Sequence, residues 1–214
     1  MQNATTEDMS IEEATTFQFA GSLSTEALDQ IFLSAHTHHG WQDRSVAAGT
    51  LQKLYDLIKW APTCVNGSPM RVIFIQSPAE KEKLLPCLLE KNVEKTRGAP
   101  VTAIIAHDLE WYEHLGKLAP HFDYKPLFAN NKALSDETAL RNSSLQGAYL
   151  MMGARALGLD VGPMSGFNAA IVNDIFFKDT TWQANFLCNL GYGDKSKLHP
   201  RAPRFVFEEA CRII

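Results

Sequence analysis

The sequence predicts an α+β domain: a central mixed β-sheet of roughly four or five strands, flanked by helices and paired into a dimer. Three observations predict it. Apolar, β-branched runs fall at 70–76, 100–106 and 185–192, too few for a doubly wound parallel sheet. The stretch at 135–158 is apolar nearly all round at helical spacing, the pattern of a helix buried on more than one side, and one such side suits a subunit interface. No dinucleotide fingerprint follows a strand, because Gly191-Tyr192-Gly193 lacks the third glycine and the helix that should follow it.

Residues 1–22 are polar and acidic with little periodicity, and read as a flexible N-terminal extension; residues 23–214 read as one domain. Ser24 caps a helix that begins Thr25-Glu26-Ala27, and Leu28, Ile31, Phe32 and Ala35 hold its spacing to about His36. A second helix, Ala47–Trp60, places Leu51, Leu54, Tyr55 and Ile58 on one face. Pro62 stops it, and the loop Ala61–Pro69 (APTCVNGSP) leads into the strand Met70–Ile75. Asn66-Gly67 is a turn pair in which both residues tolerate positive φ. Pro78 starts a helix that turns Leu84, Leu85, Leu88 and Leu89 inward, and Pro100–Ala106 is a core strand.

Residues 109–134 have no clear period but carry Trp111, Tyr112, His114, His121, Phe122, Tyr124 and Phe128. Such a stretch is either a binding excursion or aromatic packing at the surface. The helix at 135–158 is capped by Ser135, with Asp136 and Glu137 complementing its dipole and Gly158 ending it. One face carries Leu145, Ala148, Tyr149, Met152 and Ala156; another carries Leu140, Gly147, Leu150, Met151 and Ala154. A shorter helix holds Val172, Ile175, Phe176 and Phe177, and Phe186–Tyr192 is the last strand. The tail from Lys195 is basic, and Pro200 and Pro203 keep it from forming a long helix.

Composition narrows the function. Of 214 residues, 45% are hydrophobic and 21% charged, as in ordinary soluble domains, and the net charge of −4 offers no basic face for nucleic acid. No apolar run approaches the ~20 residues that span a bilayer. The first basic residue is Arg44, so the N-terminus lacks the positive region of a signal peptide. The four cysteines show no ligand spacing and read as reduced thiols of a cytoplasmic protein, without metal or disulfide. No G-x-S-x-G elbow or P-loop is present. An enzyme without its own nucleophile or metal needs a cofactor to carry the reaction. The loop Ala61–Pro69 is either an ordinary helix-to-strand connection or a surface of amides, hydroxyls and bare N–H groups for a flat polar ligand. His36-Thr37-His38-His39 is open to three readings: phosphate donors, a solvated helix end, or a weakly supported metal site.

Four stretches in order resemble the nitroreductase family: the loop Ala61–Pro69; Asn142-Ser143-Ser144 within the long helix; Ala156–Phe167; and Leu190–Gly193 with the basic tail. The wording Thr37-His38-His39-Gly40-Trp41, Gly162–Phe167 (GPMSGF), Gly191–Leu198 (GYGDKSKL) and Phe207–Ala210 (FEEA) is similar to that of the malonic semialdehyde reductases of pyrimidine degradation within that family. The resemblance implies a homodimer with FMN at the interface and NADPH or NADH as electron donor. It implies that no protein side chain is the catalyst, since FMN N5 carries the hydride. Asn66 and Ser68 would contact the ring from the partner subunit's side. Pro163, Met164, Ser165 and Gly166 would form the second flavin loop, with the Ser165 and Gly166 N–H groups toward N5 and O4. Many members have Glu-Gly where this chain has Ser165-Gly166. Arg201 would meet the phosphate, with His36, Thr37 and His38 where most members carry an Arg-x-Ser-x-Arg/Lys grip. The implied reaction is reduction of malonic semialdehyde to 3-hydroxypropanoate. The alternatives are a broad-range nitroreductase or quinone reductase, and a flavin-binding protein without turnover. A carboxylate substrate would need a cation, for which Lys117, His121, Lys125, Lys132 and Arg141 are the candidates.

Overall fold

Strands β1 (Met70–Ile75), β2 (Val101–Asp108), β3 (Asp160–Met164) and β4 (Trp182–Gly191) form a four-stranded sheet in the order β1-β2-β4-β3 in the computed structural model, which describes residues 21–214. The expected N-terminal extension therefore lies almost wholly outside the described residues. β2 is central, and its run Val101–Ala106 is buried on both faces, as its unbroken apolar pattern requires. All neighbouring strands pair antiparallel. The parallel component expected of a mixed sheet is, among the described residues, a single bridge between Thr37 and Val161 on the outer side of β3. β3 escaped the sequence reading because Gly162 and Pro163 interrupt it. Proline is tolerated there because β3 is an edge strand, with Pro163 opposite Cys188.

Each face of the sheet is covered by helices. On one lie α2 (Ala48–Ile58) and α7 (Lys132–Ala156), whose Leu51, Leu54, Ile58, Leu150 and Ala154 pack on Val101, Ala103 and Ile105. On the other lie α3 (Pro78–Leu84) and α8 (Ala169–Phe176), with Leu84, Val172 and Phe177 against Ile104, Ala106 and Leu187. α1 (Thr25–Leu28) widens into a π turn at Asp29–Leu33, and its cap is Ser24, which accepts from the Ala27 N–H. Pro86 breaks the chain after α3, so Leu89 is exposed at the junction with α4 (Glu90–Arg97) instead of buried. Tyr55 of α2 is likewise exposed.

Residues 109–134 are better ordered than their lack of period suggested. Short helices α5 (Leu115–Leu118) and α6 (Lys125–Ala129) wrap a third core of Trp111, Leu115, Phe128 and Ala139. α7 starts at Lys132, capped by the Asn131 side chain, which accepts from the Leu134 N–H. Ser135, the expected cap, is buried one turn further on and accepts from the Trp111 indole. The two apolar faces of α7 have different fates. Gly147, Leu150 and Ala154 enter the core, whereas Leu145, Tyr149 and Met152 stay exposed. A last short helix, α9 (Phe207–Ala210), lies in an exposed tail. Among the described residues, no helix is long and apolar enough to cross a membrane.

Candidate functional site

The loop before β1 is held in a conformation that residue preference alone would not choose. Val65, Asn66 and Ser68 have φ of 46°, 55° and 40°. A β-branched residue there is an outlier costing about 1–3 kcal/mol, so its surroundings must impose it. Two buried amides one turn apart on α7 do so: Asn142 Oδ1 accepts from the Cys64 N–H at 2.8 Å, and Gln146 Oε1 from the Met70 N–H at 3.0 Å. Thr63 Oγ1 accepts from the Ser68 N–H, and Asn66 Nδ2 donates to the Leu118 carbonyl at 2.7 Å. Of the Asn-Gly pair, Asn66 uses the positive φ that it tolerates, whereas Gly67 has an ordinary φ of −70°. Gly67 is needed for room: a Cβ there would lie 2.5 Å from Trp111 Cε3. Gln146 was missed from the sequence; its signal was a polar residue four positions after Asn142, on the same helix face.

On the opposite edge, the segment 36–41 runs beside β3. Thr37 is exposed and bridges Val161, and the His38 N–H donates to the Val161 carbonyl at 2.9 Å. The His38 side chain is only 4% exposed, with Nε2 3.2 Å from Asp160 Oδ1. Its Nδ1 has no partner among the described residues and rests against Gly193, where any Cβ would collide with the ring. Burial pushes the Asp160 carboxyl up, but hydrogen bonds from His38 and the Gly193 N–H, with the charges of His38 and Lys195, hold it below the usual range. The His38 side chain is thus turned inward onto Asp160. His36 is half-buried beside the tail, where Arg201 Nη2 donates to the carbonyls of Leu33 (2.6 Å) and Ala35 (3.1 Å). Arg155, absent from the sequence-based set, reaches the same turn and donates to the Ile31 carbonyl at 3.2 Å. Burial pushes the Arg155 guanidinium down, and Arg201 nearby adds to this against the opposing pull of Cys188 and Asp160.

β3 ends in the second loop. Pro163 is half-buried, Met164 buried and Ser165 exposed. The Gly166 carbonyl accepts from the Leu89 N–H at 3.0 Å and from Asn92 Nδ2 at 2.8 Å, which clamps the loop to α4. Among the described residues, the Ser165 and Gly166 N–H groups have no acceptor. His36, Thr37, Arg201 and residues 163–166 therefore gather along the β3 edge, whereas Asn66 and Ser68 sit at the β1 edge. Two strands separate the groups, three inter-strand spacings or about 14 Å. Helices cover both faces between them.

The family model for the nitroreductase family matches residues 34–192. A candidate NADH dehydrogenase/NAD(P)H nitroreductase of Polynucleobacter asymbioticus is 55% identical over 195 residues, covering 91% of this chain and all of that one. A protein of the same description from Ralstonia nicotianae is 52% identical, covering 90% and 99%. Among solved structures, a candidate nitroreductase from Exiguobacterium sibiricum, in complex with FMN, superposes with a TM-score of 0.77 at 16% identity, covering 90% of this chain and 99% of that one.

Proposed function

The chain belongs to the nitroreductase family, and on that premise we propose that it is an FMN-dependent NAD(P)H oxidoreductase, active as a homodimer, that reduces malonic semialdehyde to 3-hydroxypropanoate. The observation that carries the reading is the division of the candidate residues between the two sheet edges. Each edge holds half of what a flavin needs, and the covered faces keep one chain from joining the halves. A second copy related by a two-fold axis would bring the β1-edge loop of one chain to the β3 edge of the other, in two equivalent sites. The exposed apolar residues Trp60 on the α2 side and Leu145, Tyr149 and Met152 on α7 would be covered in that dimer.

The residues present fit FMN. Arg201, assisted by His36, would neutralise the phosphate, and Arg201 keeps donors beyond the nitrogen that holds Leu33 and Ala35. The unspent N–H groups of Ser165 and Gly166 and the amide of Asn66 would orient the ring system, and a glycine at 166 lets backbone approach without a Cβ. FMN, when bound, supplies hydride acceptance and donation, for which this chain has no group of its own. The protein's part is to fix the ring and admit donor and acceptor by turns, which is why no separate nucleotide fold is needed. The name shared by the relatives favours a second reading, a reductase of broad acceptor range in the same fold.

Purified protein should show flavin absorbance bleached by NADPH or NADH, and a dimeric mass by light scattering. Flavin that neither nicotinamide bleaches would leave a binding protein. Steady-state kinetics against malonic semialdehyde, nitroaromatics and quinones then separate the two enzyme readings. Arg201→Ala should release FMN and leave the dimer folded; unaltered FMN affinity would refute the assignment of the phosphate to the tail.

A further inference from the structure

A cavity of about 210 Å³ opens beside the β1-edge loop, lined by Tyr55, Lys59, Ser68, Arg71, His114 and Lys117 among others. Its wall holds four basic side chains and no carboxylate. Three of the four already have acidic partners. Arg71 Nη2 is 2.8 Å from Asp108 Oδ2, His114 Nε2 is 3.6 Å from the same oxygen, and Lys59 Nζ is 2.9 Å from Asp56. Arg71 Nη1 is spent on the carbonyls of Ser68 and Met70, both at 3.0 Å, which ties the loop to the cavity wall. Lys117 has no carboxylate within ion-pair distance among the described residues. Of the other cations expected nearby, Lys125 pairs with Glu113, Lys132 with Asp136 and Arg141 with Glu137, and His121 does not line the cavity.

An unpaired ammonium in a basic-walled cavity, beside a residue proposed to face the flavin, calls for an anion. The cavity is smaller than the ~300–1,000 Å³ of sites for drug-sized ligands, which suits a short acid better than a nucleotide. We infer that this cavity is the subsite for the carboxylate of a small, reducible oxo acid, with Lys117 as the specificity-determining cation and Arg71 as a positioning residue that sets the loop against it. The inference deepens the functional reading above and rests on it for the chemistry at the substrate's other end. Lys117 is exposed on a four-residue helix, so replacing it should leave the fold intact.

The test compares wild type, Lys117→Ala and Lys117→Arg in the flavin-loaded protein. Calorimetric binding of 3-hydroxypropanoate should weaken at least about tenfold in Lys117→Ala and largely recover in Lys117→Arg, since a charged hydrogen bond of ordinary strength is worth that factor. The ratio of KM for malonic semialdehyde to KM for benzoquinone should rise by a similar factor. Unaltered 3-hydroxypropanoate affinity, or two KM values that rise together, would overturn the assignment. A loss confined to KM for NADPH, with NADH and the oxo acid unaffected, would overturn it too and give the site to the donor's phosphate. Failure of the underlying reading shows differently, as wild-type protein that neither holds flavin nor is bleached; binding of 3-hydroxypropanoate then still decides the subsite.

Discussion

Substituting Gly67 by alanine tests whether the loop before β1 is a built surface or an ordinary turn. With φ at −70°, alanine meets no backbone strain, and through the unfolded state alone it should stabilise by about 0.4–1 kcal/mol. The new Cβ, however, would stand 2.5 Å from Trp111 Cε3 and 3.2 Å from the Cys64 carbonyl oxygen. The indole has little freedom to yield. Trp111 is fully buried, its ring centroid is 4.5 Å from that of Phe128, and its Nε1 donates to Ser135 Oγ at 3.1 Å. Overpacking of this kind costs about 1–3 kcal/mol. The clash therefore wins, with a net loss of roughly 1–2 kcal/mol, or about 2–8 °C in Tm for a chain of this size. Urea unfolding measures it. A double-mutant cycle with Trp111→Phe, which removes the atoms that collide, should show the pair less destabilised than the sum of its members by about 1 kcal/mol. Gly67→Ala as stable as wild type, or additive effects in the cycle, would refute the idea that Trp111 sets the loop.

Two further predictions concern ionisation. Asp160 is held below the usual carboxylate range despite its burial, so its contribution is complete above about pH 4 and lost as pH falls through its folded-state value; Asp160→Ala should cost about 1 kcal/mol at neutral pH, discounted for its partial exposure, and flatten the acid limb of the pH–stability curve. Burial pushes His107 down against the pull of Asp136 and Asp108, and pushes His39 down with help from Lys95, His199 and His38. The native state then binds fewer protons than the unfolded one, so stability should be full above about pH 6.5 and fall toward pH 5. His107→Gln should remove part of that slope in calorimetric scans, and an unaltered slope would exclude His107 as a source.

The sequence disclosed elements wherever a single pattern governed several residues. The unbroken run Val101–Ala106 and the spacing of Leu51, Leu54 and Ile58 became a central strand and a core-facing helix. It hid elements whose cause lies elsewhere in the chain. β3 carries Gly162 and Pro163, and only its edge position makes it a strand. The positive φ of Val65 is imposed by amides 77 or more positions away in the chain, so turn composition, which marked only Asn66-Gly67, did not disclose it. For the candidate site, the stretches were legible through their resemblance, but individual roles were not. Whether a histidine in His36-Thr37-His38 faces solvent or a carboxylate depends on Asp160 and Gly193, more than a hundred residues on.

The histidine at 36, where the family resemblance implies a cationic phosphate grip, has a physical rationale in what surrounds it. Arg155 from the end of α7 and Arg201 from the tail both converge on the π turn that extends α1 and the residues just after it, through the carbonyls of Ile31, Leu33 and Ala35. Those carbonyls are the negative end of a short helix, which favours cations there. Two guanidinium groups already oppose one another at that point, since Arg201 helps push Arg155 down. A third fixed charge would add repulsion in the absence of an anion, whereas a histidine adds a donor whose charge is optional. The two arginines would, on the proposed reading, supply from more than a hundred residues on a charge that the local sequence omits. On the proposed reading, phosphate affinity should depend on Arg201 and Arg155 far more than on His36. Arg155→Ala or Arg201→Ala should each release FMN at neutral pH, while His36→Ala should weaken its binding far less. Equal losses for all three would show that the histidine bears the phosphate as fully as the arginines, and would refute this division of roles.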